Sequence, residues 1–273
     1  MYIFSIGARI TIAEYLFDNK ADMTDFENKI NLLRNMIAKS NNIVALTGAG
    51  ISVPSGIPDF RSSDGLYTTS KGYSYSAEEL LSHTCFVNAT DEFYEFYKNN
   101  MIYKNATFNK AHSYLKKLED AGKLKAVITQ NIDGLHTLAG SKNVLEFHGS
   151  IYRNTCTGCG KKYDLDYVLA CKGIPRCSVC GNIIKPDVVL YEEGLDEQTV
   201  TKSIQAVCSA DMLLVIGTSL KVYPAAGLVD YYRGNRLVLI NKDATGYDKS
   251  ADLVLNEDII KVVDKLAEKD NLF

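Results

Sequence analysis

The sequence predicts an α/β protein: a parallel sheet with helices on both faces, plus a smaller second module. Three observations predict it. Short β-rich apolar runs recur at Ile43–Leu46, Ala126–Thr129, Val144–Phe147, Met212–Ile216, Leu237–Ile240 and Leu253–Leu255. They are apolar without alternation, as strands covered on both faces must be. Helical patterns such as Ala111–Ala121 and Thr199–Val207 lie between several of them. Two stretches then break the alternation. Residues 62–106 are rich in Ser, Tyr and Phe, with helix-like patches at 77–82 and 91–103. Residues 152–186 carry two close cysteine pairs. Both read as insertions that together form the smaller module.

Length and composition agree with this division. A chain of 273 residues suits one main domain with an insertion. Hydrophobic residues make up 46% and charged residues 23%, which excludes disorder, collagen and coiled coil. A net charge of −3 argues against a protein built to grip nucleic acid or an anionic membrane. No apolar run is long enough to cross a bilayer. The N-terminus lacks a basic n-region, and Arg9 and Glu14 interrupt it, so no signal peptide is expected. An odd count of seven cysteines without a secretion signal fits a reducing, cytoplasmic setting.

At the start of the chain, Thr24-Asp25-Phe26-Glu27 reads as a capping box. Phe26, Ile30, Leu33 and Ile37 follow at helical spacing. The first helix is therefore expected just after Met23. Residues 1–22 read either as a loose helical arm or as the product of an upstream start codon. The main domain is expected to comprise 23–61, 107–151 and 187–273.

Ligands of open α/β sheets bind beyond the carboxyl ends of the strands. The first strand runs into Gly48-Ala49-Gly50 and the second into Gln130-Asn131-Ile132-Asp133-Gly134. The third ends at His148-Gly149, the fourth at Gly217-Thr218-Ser219 and the fifth at Asn241. Glycines let a backbone approach a pyrophosphate. The pattern makes a Rossmann-like dinucleotide site. The Gly-x-Gly-x-x-Gly fingerprint is incomplete, because Val53 occupies its last position and Pro54 follows. No strand-end acid stands at the usual spacing for a ribose, so hydride-transfer enzymes are not favoured.

Cys156-x-x-Cys159, 17 intervening residues and Cys177-x-x-Cys180 form a zinc-site pattern. Gly158, Gly160 and Gly181 supply the tight turns. Four thiolates fill a tetrahedral shell and leave no place for water, so the zinc is expected to be structural. The bland alternative is four incidental cysteines. Cys85 and Cys208 read as core fillers. Cys171 lies inside the module and is the one rival ligand.

These residues resemble the sirtuins. Residues 48–61 (GAGISVPSGIPDFR), residues 129–136 (TQNIDGLH), His148-Gly149 and the four cysteines carry the resemblance. It is collinear from about Phe26 to the C-terminus and nearest to the bacterial members. The resemblance implies an NAD-dependent protein-lysine deacetylase acting on acyl-lysine proteins or peptides. It also implies roles for single residues. Gly48, Ala49, Gly50, Phe60, Arg61 and Gln130 match cofactor contacts. Asn131, Ile132 and Asp133 match the nicotinamide pocket. Gly217, Thr218, Ser219 and Asn241 match phosphate and adenosine-ribose contacts, and Asp258 a position near the adenine. Val189 and Tyr191 match the strand that pairs with the substrate peptide. His148 is the implied general base, with Asn131 assisting nicotinamide departure. In the implied reaction the acyl oxygen attacks the ribose carbon as nicotinamide leaves. The products are free lysine, nicotinamide and O-acetyl-ADP-ribose. A protein mono-ADP-ribosyltransferase on the same scaffold is the alternative, and His148 favours deacylation. A zinc-ribbon nucleic-acid binder is disfavoured by the sparse cations at 156–180, namely Lys161, Lys162, Lys172 and Arg176.

The remaining histidines and aromatics have plainer readings. His136 orders its loop, His112 packs a helix and His83 lies at the surface. Phe93-Tyr94-Glu95-Phe96-Tyr97 packs the small module. Asp59 and Arg61 form a partial ion pair beside the cofactor. Two positions depart from relatives. Sirtuins that remove acidic acyl groups carry Tyr-x-x-Arg in this helix. Here Tyr94 is followed by Tyr97, and Tyr97 by Asn100. A neutral acyl group is therefore expected over succinyl, since nothing pairs a buried carboxylate. Tyr191-Glu192-Glu193-Gly194 stands where many relatives have Phe-Gly-Glu, which alters the peptide-side rim.

Overall fold

The computed structural model describes residues 12–60, 65–66 and 75–268, with side chains from 25 onward. All six apolar runs form strands of one sheet. They are β1 (Ile43–Thr47), β2 (Leu124–Thr129), β3 (Val144–Glu146), β7 (Met212–Ile216), β8 (Leu237–Ile240) and β9 (Leu253–Leu255). Their order across the sheet is β3-β2-β1-β7-β8-β9, and every neighbouring pair is parallel. Counted along this sheet alone, that is the 3-2-1-4-5-6 order of a doubly wound dinucleotide fold. The order reverses between β1 and β7, and a crevice opens there at the strand ends.

Burial explains why these runs show no alternation. Ile43 and Ala45 of β1 face one apolar core, while Val44 and Leu46 face the other. The helix Lys110–Asp120 covers the first face and Glu197–Ser209 the second. Asn109 and Asp196 cap these two helices, each accepting from a backbone N–H of the first turn.

The first helix differs from expectation. It runs Ile12–Lys39, so Thr24 is a helix-interior residue and not an N-cap. Residues 12–23 contain no glycine or proline to stop the helix. Of the expected arm at 1–22, residues 1–11 lie outside the described residues.

The second unit is built on an antiparallel sheet in the order β5-β4-β6, made by β4 (Gly149–Cys156), β5 (Lys162–Tyr163) and β6 (Ile184–Val188). Short helices at Ala77–Leu80, His83–Asn88, Thr90–Asn100 and Leu165–Ala170 pack on it. Phe86, Phe93, Tyr94, Phe96 and Tyr97 share one apolar core with Ile151, Leu165, Val168 and Ile184. Residues from the two inserted stretches thus bury one another. Lys98 Nζ adds a polar stitch by donating to the carbonyls of Cys171 (2.7 Å) and Gly173 (2.8 Å). Cys85 is buried, but Cys208 is exposed at the end of its helix. The expectation of Cys208 as a core filler is therefore wrong: the apolar face of Glu197–Ser209 turns Val207 inward instead. Among the described residues, no helix is long and apolar enough to cross a membrane.

Candidate active site and metal centre

A cleft of about 530 Å³ lies between the large sheet and the smaller unit, over the carboxyl ends of β1, β2 and β7. That volume lies within the range of small-molecule sites. Gly48, Ala49, Gly50, Phe60, Gln130, Asn131, Ile132, Asp133, His148, Gly217, Thr218, Ser219 and Asn241 line it together with Val189 and Tyr191. Two expected residues stand apart. Arg61 lies outside the described residues, and with it the expected pair with Asp59. Asp258 does not line the cleft. It caps the helix Ile259–Ala267, accepting from Ile260 N at 2.8 Å, and pairs with Lys242 at 3.0 Å.

The glycine cradle follows from close backbone approach at the switch point. A Cβ on Gly50 would lie 2.7 Å from Gly217 Cα, and one on Gly48 2.7 Å from Thr218 Cβ. Gly217 adopts φ +61°, and a Cβ there would lie 2.4 Å from Ile51 N. The two loops are locked by Gly50 N donating to Gly217 O at 2.8 Å. Gln130 Nε2 donates to Thr218 Oγ1 at 3.1 Å, tying β2 to the same loop. Side chains are absent where a pyrophosphate needs backbone, so the cradle fits a dinucleotide.

Beside the cradle, Asn131, Ser52 and Asp133 form a chain of hydrogen bonds. Asn131 Nδ2 donates to Gly48 O and to Ser52 Oγ, both at 3.1 Å. Ser52 Oγ donates to Asp133 Oδ2 at 2.7 Å. Leu135 N donates to Asp133 Oδ1 at 2.9 Å. Burial raises the Asp133 carboxyl above its usual range, while the two donors oppose the rise. Ser52 was not singled out in the sequence. Its only signal was a hydroxyl two residues past Gly50, and only the turn of Ala49–Ile51 aims it at Asp133.

His148 directly precedes β4, with only Phe147 between it and the end of β3. Its Nδ1 lies 3.0 Å from Gln130 O, and a carbonyl only accepts. Nδ1 therefore carries the proton and Nε2 keeps its lone pair. Burial lowers the imidazole pKa, and the Gln130 carbonyl partly offsets this. The ring is neutral at pH 7, as a base must be.

His136 and His112 are both buried, with ring centroids 4.8 Å apart, and neither lines the cleft. His136 Nε2 is 3.0 Å from Thr47 Oγ1, which anchors the Asp133 loop to β1. Desolvation lowers their pKa values to about 4 for His112 and about 3 for His136. Both are structural groups, as expected, and His83 is at the surface.

The peptide-side strand is less open than expected. Val189 N donates to His148 O (3.0 Å), Leu190 N to the Glu193 carboxylate (3.0 Å) and Tyr191 N to Leu81 O (3.0 Å). The Val189 carbonyl and the Glu192 N–H have no hydrogen-bond partner among the described residues. Glu192 takes φ +74°, a left-handed backbone that favours glycine. Its carboxylate accepts from Thr84 N (2.9 Å) and Thr84 Oγ1 (2.7 Å), which offsets the backbone strain.

The four cysteines converge. Their Sγ atoms all lie within 4.8 Å of one another, with Cys156–Cys180 at 3.4 Å and Cys159–Cys177 at 3.5 Å. Tetrahedral zinc with bonds of about 2.3 Å needs sulfurs about 3.8 Å apart, so the set fits that ion. Tyr163 OH donates to Cys177 Sγ at 3.1 Å and fixes its orientation. Cys171 is not part of the cluster.

A doubly wound sheet with a glycine-walled crevice at its switch point defines a dinucleotide-binding α/β protein. Comparison with known proteins narrows the class. The Sir2 family profile matches residues 48–224. An NAD-dependent protein deacetylase of Clostridium acetobutylicum is 57% identical over 238 residues, covering 87% of this chain and 97% of the relative. That of Clostridium perfringens is 53% identical, covering 89% and 100%. A solved Sir2 structure with deacetylated p53 peptide and 3'-O-acetyl-ADP-ribose superposes with TM-score 0.82 at 37% identity, covering 88% and 98%. Another, with p53 peptide and NAD+, gives TM-score 0.78 at 36% identity, covering 88% and 97%. The chain belongs to the Sir2 family.

Proposed function

We propose that this chain is an NAD-dependent protein-lysine deacetylase. The observation that carries the proposal is the neutral His148, with Nε2 unprotonated, on the same cleft as the glycine cradle and the Asn131–Ser52–Asp133 chain. Bound NAD supplies an electrophilic ribose carbon and nicotinamide as leaving group. Asn131 and Asp133 hold the nicotinamide end, and Phe60 and Ile132 exclude water. Thr218, Ser219 and Asn241 take the phosphate and adenosine end, next to Gly48, Gly50 and Gly217. His148 Nε2 accepts a proton from a ribose hydroxyl. The Gln130 carbonyl stabilises the imidazolium that results, through the Nδ1 proton. The Val189 carbonyl and the Glu192 N–H offer main-chain contacts to the peptide. Zinc on Cys156, Cys159, Cys177 and Cys180 holds the small unit and takes no part in the chemistry.

His148→Ala is expected to lower deacetylation about 10²–10⁴-fold while NAD binding persists. Near-normal turnover with a folded variant would refute the base assignment. We further infer a preference for neutral acyl groups. Among the described residues lining the cleft, Lys221 is the only Lys or Arg, against Asp59, Asp133, Glu192, Glu193 and Asp243. A succinylated peptide turned over as fast as its acetylated counterpart contradicts this. A four-thiolate site belongs in a reducing compartment, and we infer a cytoplasmic location on that ground.

A further inference from the structure

Two adjacent carboxylates on the peptide-side rim, Glu192 and Glu193, both line the cleft, but their surroundings differ. Glu193 is committed within the fold. Its Oε1 lies 2.9 Å from His83 Nδ1, and its Oε2 lies 2.9 Å from Lys185 Nζ and 3.0 Å from Leu190 N. Glu192 is exposed. The two hydrogen bonds that hold it come from Thr84 N (2.9 Å) and Thr84 Oγ1 (2.7 Å), and both fall on one oxygen, Oε2. Neither donor is charged. Among the described residues, no Lys, Arg or His nitrogen lies within 4.0 Å of this carboxylate. His83, whose charge would also act on Glu192, is paired with Glu193. Oε1 of Glu192 therefore faces the cleft rim without a cation. The Thr84 bonds lower the Glu192 pKa, so the group is ionised at neutral pH.

Backbone geometry brings a substrate within reach of this charge. The Glu192 N–H and the Val189 carbonyl are the free main-chain groups that face a peptide. A strand paired there places its side chains about 5 Å, Cβ to Cβ, from those opposite. A long basic side chain spans that gap. The Thr84 bonds hold the carboxylate in place beforehand, so little rotamer freedom is lost on contact. We propose that Glu192 makes this chain select acyl-lysine peptides with an arginine or lysine within two residues of the modified lysine. This deepens the deacetylase reading and rests on it. A basic neighbour meets a carboxylate that has no other cation. An acidic neighbour meets repulsion, and Glu193 already holds both Lys185 and His83.

The test uses an acetyl-lysine peptide with neutral flanks, with NAD in excess and at low salt. In its relatives a single arginine stands in turn at each of the two positions on either side of the acetyl-lysine. Arginine keeps its charge throughout and is not itself a deacetylation substrate. At one position or more, the arginine peptide is expected to show kcat/KM about two- to fivefold above the neutral peptide, as an exposed ion pair allows. The gain is expected in KM and to fade as added salt screens it. Glutamate at the same position is expected to fall below the neutral peptide. Glu192→Gln removes the charge but keeps an oxygen for both Thr84 donors, so it is expected to bring the arginine-to-neutral ratio to about one. The ratio is taken within each enzyme, so a partly unfolded variant does not mimic the result. Should Glu192→Gln not fold, Glu192→Gly, which suits the left-handed backbone, serves for the same ratio. A wild-type ratio of one or less at every position overturns the proposal, as does an unchanged ratio in the variant. Either result, with the neutral peptide still deacetylated, leaves the deacetylase reading intact. Failure on every peptide overturns both.

Discussion

At the scale of single residues, the site depends on which atom holds each proton. The Gln130 carbonyl fixes the His148 tautomer, and burial keeps the ring neutral. Protonation of Nε2 removes the base, so activity falls on the acid side. The pKa of the free enzyme lies below the ordinary 6.5, because burial is the larger influence. The acid limb of kcat/KM is therefore expected below pH 6.5, with activity level from there through neutrality. A limb centred above pH 7 contradicts the assignment. Ser52 is the second residue to test. Among the described residues, it joins the Asn131 amide to the Asp133 carboxylate. Ser52→Ala leaves a buried carboxylate oxygen without its shortest donor. A loss of about tenfold in kcat/KM is expected, together with weaker nicotinamide inhibition. Unchanged nicotinamide inhibition would show that the chain does not organise that pocket.

At the scale of elements, the four thiolates close a unit whose own core is small. β5 contributes only two residues, Lys162 and Tyr163, to the sheet. Cys156 and Cys177 are buried in the same apolar cluster as Phe93 and Ile184. Removing a ligand should therefore loosen the core as well as the metal. Cys177→Ala is expected to release zinc, measured by a chromophoric chelator, and to lower Tm by several degrees. Loss of activity with zinc retained contradicts a purely structural ion. Legibility from sequence differs sharply between elements. The six parallel strands show as unbroken apolar runs, because both faces of each are buried. The helix at 77–82 does not show its break, since the stop after Leu80 depends on Ser82 capping the next helix. The start of the first helix is misread because a Thr-x-x-Glu spacing also suits a helix interior, where residues i and i+3 lie one turn apart.

At the scale of the whole molecule, function arises where the two units face each other. The large sheet brings its cradle, Asn131, Asp133 and His148. The smaller unit brings Tyr97, Ile151 and Val188. The strand-end motifs were legible because each is a short local run. The convergence of Ser52 on Asp133, the occupied N–H groups of Val189–Tyr191 and the departure of Asp258 from the cleft were not. They depend on contacts between residues far apart in sequence. The central claim is that this cleft moves an acyl group from lysine to ADP-ribose. NAD labelled in its adenylate half, incubated with enzyme and an acetyl-lysine peptide, tests it directly. The label is expected in O-acetyl-ADP-ribose, with one equivalent of deacetylated peptide and one of nicotinamide. Label retained on protein, with the peptide still acetylated, would contradict the claim and assign the site to ADP-ribosyl transfer.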